Sequence, residues 1–322
     1  MRELEELYQQ SWPELQRQAW TVRRSHHEPK VVFAVPGPKR YEGRYYTNRE
    51  DAFVQISVTG TACALKCAHC NSHLLKSMLP VESELDLISL GQRLLEVGTK
   101  GVLISGGADS HGRVPLKDFL SGIEYLKQIG LKVIVHSGLI DPETAAGLKK
   151  AGVDQVLLDV IGDERTIREV YHLAKTPEDY RRSLYVLREV GLPVVPHIVA
   201  GLYFGNWEGE LDALAAVTSC RPEAVVIVVL NPLPGTEMAG VVPPFPEAVG
   251  KLVAAARVAN PTIPLMFGCA VPPRPAKDLY QEAALMAGVN GVAYPTDTIV
   301  EKAQQLGLDT WFSELCCSLS WP

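Results

Sequence analysis

From residue 53 onward, short β-branched runs alternate with longer stretches whose apolar positions recur every three or four residues. The runs are FVQISV (53–58), GVLIS (101–105), KVIVHS (132–137), QVLLDVI (155–161), PVVPHIVA (193–200), AVVIVVL (224–230), PLMFG (264–268) and GVAYP (291–295). Between them the spacing predicts helices over 82–98, 116–129, 142–151, 176–190, 209–217, 246–258 and 277–287. Near-continuous apolar strands separated by helices describe a parallel sheet covered on both faces. Eight such units favour an α/β fold of the (β/α)8 TIM-barrel type over an open doubly wound sheet. Chemistry in such a fold gathers in the loops that follow the C-terminal ends of the strands.

Ahead of this rhythm, residues 1–25 read as two helical pieces. Ser11 and Glu14 have the spacing of a capping box around Pro13. Leu4, Leu7, Trp12, Leu15 and Trp20 form a stripe suited to packing on a main domain. VVFAVPGPKRYEGRYY (31–46) is extended chain broken at Pro-Gly-Pro. The expected organisation is an N-terminal helical arm and extended segment (1–50), a barrel (51–306) and a C-terminal tail carrying a cysteine pair (307–322).

Composition narrows the function. The 322 residues are 47% hydrophobic, enough for a large core without disulfides. A net charge of −6 and no basic run argue against a nucleic-acid partner. The longest apolar run is too short to span a bilayer and the charged N-terminus lacks a signal core, so no membrane association and a cytoplasmic location are expected. In a reducing compartment, clustered cysteines bind metal more readily than each other.

One stretch after the first run, TGTACALKCAHCNSH (59–73), holds Cys63, Cys67 and Cys70 with His69 and His73. Zinc would want a fourth ligand, and a histidine could supply it, but structural zinc sites pair two short knuckles and no second is obvious. A four-iron cluster on three thiolates leaves one iron without a protein ligand. Such an open iron is useless as a staple and useful for binding substrate.

CALKCAHC, directly after the first strand of a barrel, resembles the Cys-x3-Cys-x2-Cys signature of the radical S-adenosylmethionine (SAM) superfamily. The resemblance implies that Cys63, Cys67 and Cys70 ligate a 4Fe–4S cluster whose fourth iron is chelated by SAM. It implies reductive cleavage of SAM to a 5′-deoxyadenosyl radical that abstracts hydrogen from an unreactive C–H bond. His69 then stands where an aromatic often meets the adenine. Gly106, Gly107 and Asp109, in ISGGADSHG after the second strand, correspond to the turn holding the SAM amino group. His136, Ser137, Asp159 and His197 are polar residues at inner strand ends, each needing a partner that SAM or a neighbour could supply. LNPLPGTEM (230–238) resembles the turn bordering the adenine in biotin-synthase-like members.

Four cysteines remain. Cys220 lies away from the mouth and reads as a small buried hydrophobe. Cys269, in FGCAVPP, and the terminal Cys316 and Cys317 could hold a second iron–sulfur cluster. Neighbours on an extended strand point to opposite faces, so the vicinal pair converges only if the chain bends. The tail must also return to the mouth, which its fifteen residues after Gly307 permit at ~3.3 Å each.

The barrel, FGCAVPP and terminal CCS together resemble a component of the two-component lipoyl synthases, which insert sulfur into an octanoyl chain on a carrier lysine. Biotin synthases hold a second cluster with cysteines at inner strand ends, and single-chain lipoyl synthases carry an N-terminal cysteine triplet; this sequence has neither. The resemblance implies an octanoylated lipoyl carrier protein or domain, a second radical SAM component and an electron donor such as ferredoxin or flavodoxin. Two alternatives stay open: biotin-synthase-like hydrogen abstraction or rearrangement of a small molecule without a second cluster, and a zinc-stapled, non-enzymatic barrel.

Overall fold

In a computed structural model, residues 2–321 are described. The chain opens with α1 (Arg2–Gln9) and α2 (Trp12–His26), then β1 (Lys30–Ala34), β2 (Phe53–Ser57) and the two-residue β3 (Leu79–Pro80). There follow α3 (Glu84–Glu96), β4 (Gly101–Ser105), α4 (Leu120–Gln128), β5 (Lys132–His136), α5 (Pro142–Ala151) and β6 (Gln155–Asp159). Next come α6 (Glu164–Glu169), α7 (Pro177–Glu189), β7 (Val194–Ala200), α8 (Glu210–Cys220) and β8 (Val225–Val229). The chain finishes with α9 (Pro246–Ala259), β9 (Leu265–Phe267), α10 (Ala276–Met286), β10 (Gly291–Ala293), α11 (Asp297–Gln305) and β11 (Asp309–Ser313). All eight strands read from the sequence are present, with three more.

The strands form one parallel sheet in the order β11-β1-β10-β9-β8-β7-β6-β5-β4-β2-β3. Along each strand, alternate residues face opposite sides, and both sides are apolar. Val32, Phe53, Ile134, Leu157, Val195, Val226, Met266 and Ala293, from eight strands, join in one inner cluster. Strands as far apart in the order as β1 and β2 share that cluster, so the sheet is curled. The odd-numbered neighbours Val31, Val133, Val135 and Val225 face the helices instead. The α/β fold of the TIM type is thus present as a curled half-barrel. Closure of the hydrogen-bonded ladder is the part to correct, because β11 and β3 remain edges. At the seam the Glu314 side chain does the joining. It accepts from the Arg49 amide at 2.9 Å and lies 2.7 Å from Lys100 Nζ, linking the end of β11 to the starts of β2 and β4.

The arm packs on the outside, α1 and α2 against α9, with Leu4, Leu7 and Leu15 buried. The proposed capping box is not formed: the Ser11 hydroxyl donates to the Glu14 carboxylate at 2.6 Å and caps no amide. The extended segment does more than expected, since β1 enters the sheet between β10 and β11. No helix among the described residues is long and apolar enough to cross a membrane.

At the base of the sheet, Arg257 is fully buried with no carboxylate partner in its hydrogen bonds. It donates to the carbonyls of Gly288 (3.2 Å) and Ile263 (2.9 Å) and to the Asn290 side chain. Burial, and then the charge of Arg23, pull its guanidinium down to about 9. Arg257→Met should therefore strip several buried acceptors of their donor and cost about 3 kcal/mol or more in denaturant unfolding.

Candidate active site at the mouth of the sheet

The loop after β2 is short of regular structure, and its neighbours hold it. Ala64 N–H donates to Ala108 O (2.9 Å), Ala68 N–H to Val170 O (2.8 Å) and Met238 N–H to Ala68 O (3.3 Å). His172 Nδ1 lies 2.9 Å from Leu65 O. Lys66, Asn71 and Ser72 take left-handed backbone conformations without being glycine, at φ of 49°, 42° and 61°. Such strain persists only where surroundings over-determine it, commonly at functional sites. The result is that ligand atoms of Cys67, His69 and Cys70 lie within 4.8 Å of one another. Cys67 is buried, while Cys63 and Cys70 are half-buried.

The Cys67 thiol hydrogen-bonds to Cys70, which together with His69 pulls Cys70 well below the usual thiol range although burial opposes it. The same bond, burial and the Cys70 and Cys63 charges push Cys67 far up. One proton is shared, so a thiolate is ready at the site. Beside it, His69 Nδ1 and the Tyr171 hydroxyl are buried with no hydrogen-bond partner, their rings 5.3 Å apart. Orphaned polar atoms of this kind are rare unless a ligand meets them. Tyr171 had no signal in the sequence, because no spacing ties it to the cysteines.

Gly106 and Gly107 lie against this loop. A Cβ on Gly107 would stand 1.8 Å from Ala62 O and 2.6 Å from Cys63 Cα, so glycine is required for the cysteine loop to pack at all. Its amide donates to Thr59 Oγ1 at 2.6 Å, and among the described residues the carbonyls of Gly106 and Gly107 accept nothing. Gly107→Ala should displace the loop, at about 1–3 kcal/mol of overpacking. The expected outcome is iron loading at or near zero under conditions that load the wild type, with far-UV circular dichroism unchanged.

Two expected residues also make local hydrogen bonds. Asp109 is exposed, and its carboxylate accepts from the His111 and Arg113 amides at 2.8 and 3.0 Å, closing its own turn. Ser137 is buried and donates to Gly138 O at 2.9 Å. Asp159 and His197 do meet, and His136 joins them with Nε2 3.5 Å from Asp159 Oδ1.

The tail also arrives at the mouth. After β11 the chain turns, and a 3-10 turn (Cys317–Leu319) packs against β8, β9 and β10. The chain bends at Glu314 and Leu315, and the 3-10 turn begins at Cys317. Cys317 enters the inner cluster, Cys316 packs on it, and Cys316 senses the charge of His136. Cys317 hydrogen-bonds to Cys316 and, despite burial, lowers it to about 7, repeating the proton-sharing of the first pair. Cys269 is open to solvent, and Lys39 Nζ lies 3.1 Å from its carbonyl. Tyr294 senses all three sulfurs. Close by, burial and the charges of Lys39 and Arg274 pull the Lys277 ammonium down to about 8, marking positive charge short of a counter-ion. Cys220 is buried on α8, as expected.

A sequence model of the radical SAM superfamily matches residues 57–215, from the end of β2 into α8. The biotin synthase of Geobacillus thermodenitrificans is 25% identical over 246 residues, 73% of this chain and 72% of that protein. The biotin synthase of Methylococcus capsulatus is 24% identical over 304 residues, 91% and 85% of the two chains. Of solved structures, methylornithine synthase superposes with a TM-score of 0.64 at 16% identity, covering 96% of this chain and 93% of its own. The FeFe-hydrogenase maturase HydG gives 0.64 at 15% identity, covering 89% and 62%. At these identities the solved structures speak for the fold, and the fold agrees. Residues 57–215 thus match the radical SAM superfamily model, in a chain similar at low identity to the biotin synthases.

Proposed function

We propose that this chain is a radical SAM enzyme of lipoyl synthase type, inserting sulfur into an octanoyl chain on a lipoyl carrier protein as one half of a two-component system. The observation that carries the reading is two groups of thiols at one mouth. Cys67 and Cys70 stand beside the orphaned polar atoms of His69 and Tyr171, and Cys63 is near enough for its charge to act on Cys67. The charges of Cys269, Cys316 and Cys317 all reach Tyr294, over whose ring Lys39 Nζ stands at 5.3 Å.

Cys63, Cys67 and Cys70 would hold a 4Fe–4S cluster; with SAM bound, that cluster supplies the 5′-deoxyadenosyl radical that removes hydrogen from an unactivated carbon. The proton shared by Cys67 and Cys70 leaves when metal binds. The free carbonyls of Gly106 and Gly107 suit the ammonium of SAM, and His69 Nδ1 and the Tyr171 hydroxyl suit its remaining polar atoms. Asp109 Oδ2 and the lone pairs of the Ser137 hydroxyl also stay available to SAM. Cys269, Cys316 and Cys317 would hold a second cluster, with Lys39 and Lys277 offsetting its negative charge. Val199, Val228, Ala270 and Leu315 offer an alkyl chain an apolar wall. An octanoylated carrier, a second radical SAM component and a ferredoxin or flavodoxin are the partners this chemistry calls for.

The test supplies the anaerobically reconstituted chain with SAM, reduced ferredoxin and an octanoyl-lysine peptide, with and without the second component. The reading expects 5′-deoxyadenosine and a peptide that has gained sulfur. Deoxyadenosine formation with no sulfur in the peptide in either mixture would favour the second reading, hydrogen abstraction from or rearrangement of a small molecule. The likeness to biotin synthases keeps that reading in view.

A further inference from the structure

Three polar side chains on neighbouring strands belong to neither thiol group. His136 ends β5, Asp159 ends β6 and His197 stands within β7. Two residues before each come Ile134, Leu157 and Val195, all in the inner cluster, so the three continue the inner face toward the mouth. Asp159 and His197 are opposite one another in register. One ligand atom from each of the three lies within 4.8 Å of the others. His136 Nε2 is 3.5 Å from Asp159 Oδ1, and the two imidazoles meet edge to face at 5.8 Å. Inner positions of such a sheet are normally filled by apolar layers, so three adjacent polar residues call for a shared partner.

We infer that His136, Asp159 and His197 bind one divalent transition-metal ion of the zinc or ferrous class, at a site that uses no thiol ligand. Two imidazoles and one carboxylate are a donor set suited to such ions. Two bonds of about 2.0–2.1 Å at a tetrahedral angle put neighbouring donors about 3.3 Å apart, close to the His136–Asp159 separation. His197 Nδ1 lies 3.1 Å from the carbonyl of Val195. Donation there fixes the ring and leaves the Nε2 lone pair for a metal, the usual arrangement behind a ligating histidine. Three donors from adjacent strands occupy one side of the ion. Its other positions open toward the mouth and would take a carbonyl or carboxylate oxygen of a substrate.

Cluster-loaded full-length protein is equilibrated with zinc and both metals are counted; cobalt replaces zinc in a parallel sample. One zinc per chain is expected beyond the iron. Cobalt should show weak visible bands without the intense thiolate charge transfer that thiol-bound cobalt gives. Asp159→Asn and His197→Gln should each weaken zinc binding by at least about tenfold at unchanged iron content, while His111→Gln on the exposed loop leaves it unchanged. No stoichiometric zinc in the wild type, or binding that survives both substitutions, overturns the inference. Should a variant fail to fold, the wild-type cobalt spectrum decides alone, and a thiolate spectrum contradicts the assignment. The outcome is independent of sulfur insertion, which this experiment does not read.

Discussion

Replacing Cys63, Cys67 and Cys70 together by alanine should abolish formation of 5′-deoxyadenosine from SAM, by at least about a thousandfold, which is about 4 kcal/mol of barrier. The three thiols come from one loop that other loops anchor mainly through backbone hydrogen bonds, with only a long 4.0 Å contact from Cys67 Sγ to Tyr171 O made by sulfur. The variant should therefore fold. Cys67 is the one buried member, and its loss removes one small sulfur from the core, so a modest fall in melting temperature is expected beside a complete loss of cleavage. Chromatographic detection of deoxyadenosine over hours of anaerobic reaction checks it. Cleavage at wild-type rate would show that the loop is not the reactive centre.

The second large effect separates the two thiol groups. Cys269→Ala combined with Cys316→Ala should leave SAM cleavage within about threefold of the wild type, since these residues are not among the thiols of the cysteine loop, yet reduce sulfur transfer to the detection limit. Cys317 is spared because it is buried in the inner cluster, and changing it would confound chemistry with packing. Deoxyadenosine and sulfur-bearing peptide are measured in the same reaction. Equal loss of both products would mean that the tail supports the first site instead of supplying sulfur.

Much of this was legible because parallel strands buried on both faces must be continuously apolar. Runs such as Val225–Val229 declare themselves without any periodicity to interpret. The cysteine loop was legible because its ligands are close in sequence. What was hidden depends on contacts between distant segments. β1 looks like a strand anywhere, and only pairing with β10 and β11 brings it into the sheet. The open seam likewise depends on pairing, since nothing in eight βα units says whether the last edge meets the first. Asp109 stands in the turn after two glycines, and the sequence does not show that one of its carboxylate oxygens closes that turn. Gly107 was singled out for contact with a ligand, and its lack of a side chain also serves the approach of Cys63, which the sequence does not show. Tyr171 and Lys277 reach the mouth from α6 and α10 connections that carry no motif. The trio of His136, Asp159 and His197 was visible residue by residue, but its unity rests on the adjacency of β5, β6 and β7.

The most direct test counts iron, sulfide and zinc in anaerobically purified wild type and in the Cys63/Cys67/Cys70→Ala variant. Two four-iron clusters predict about eight irons falling to about four, with sulfide in proportion. About four irons falling to none would leave one cluster and contradict sulfur donation from the tail, and zinc on the cysteines with no iron would contradict radical chemistry altogether.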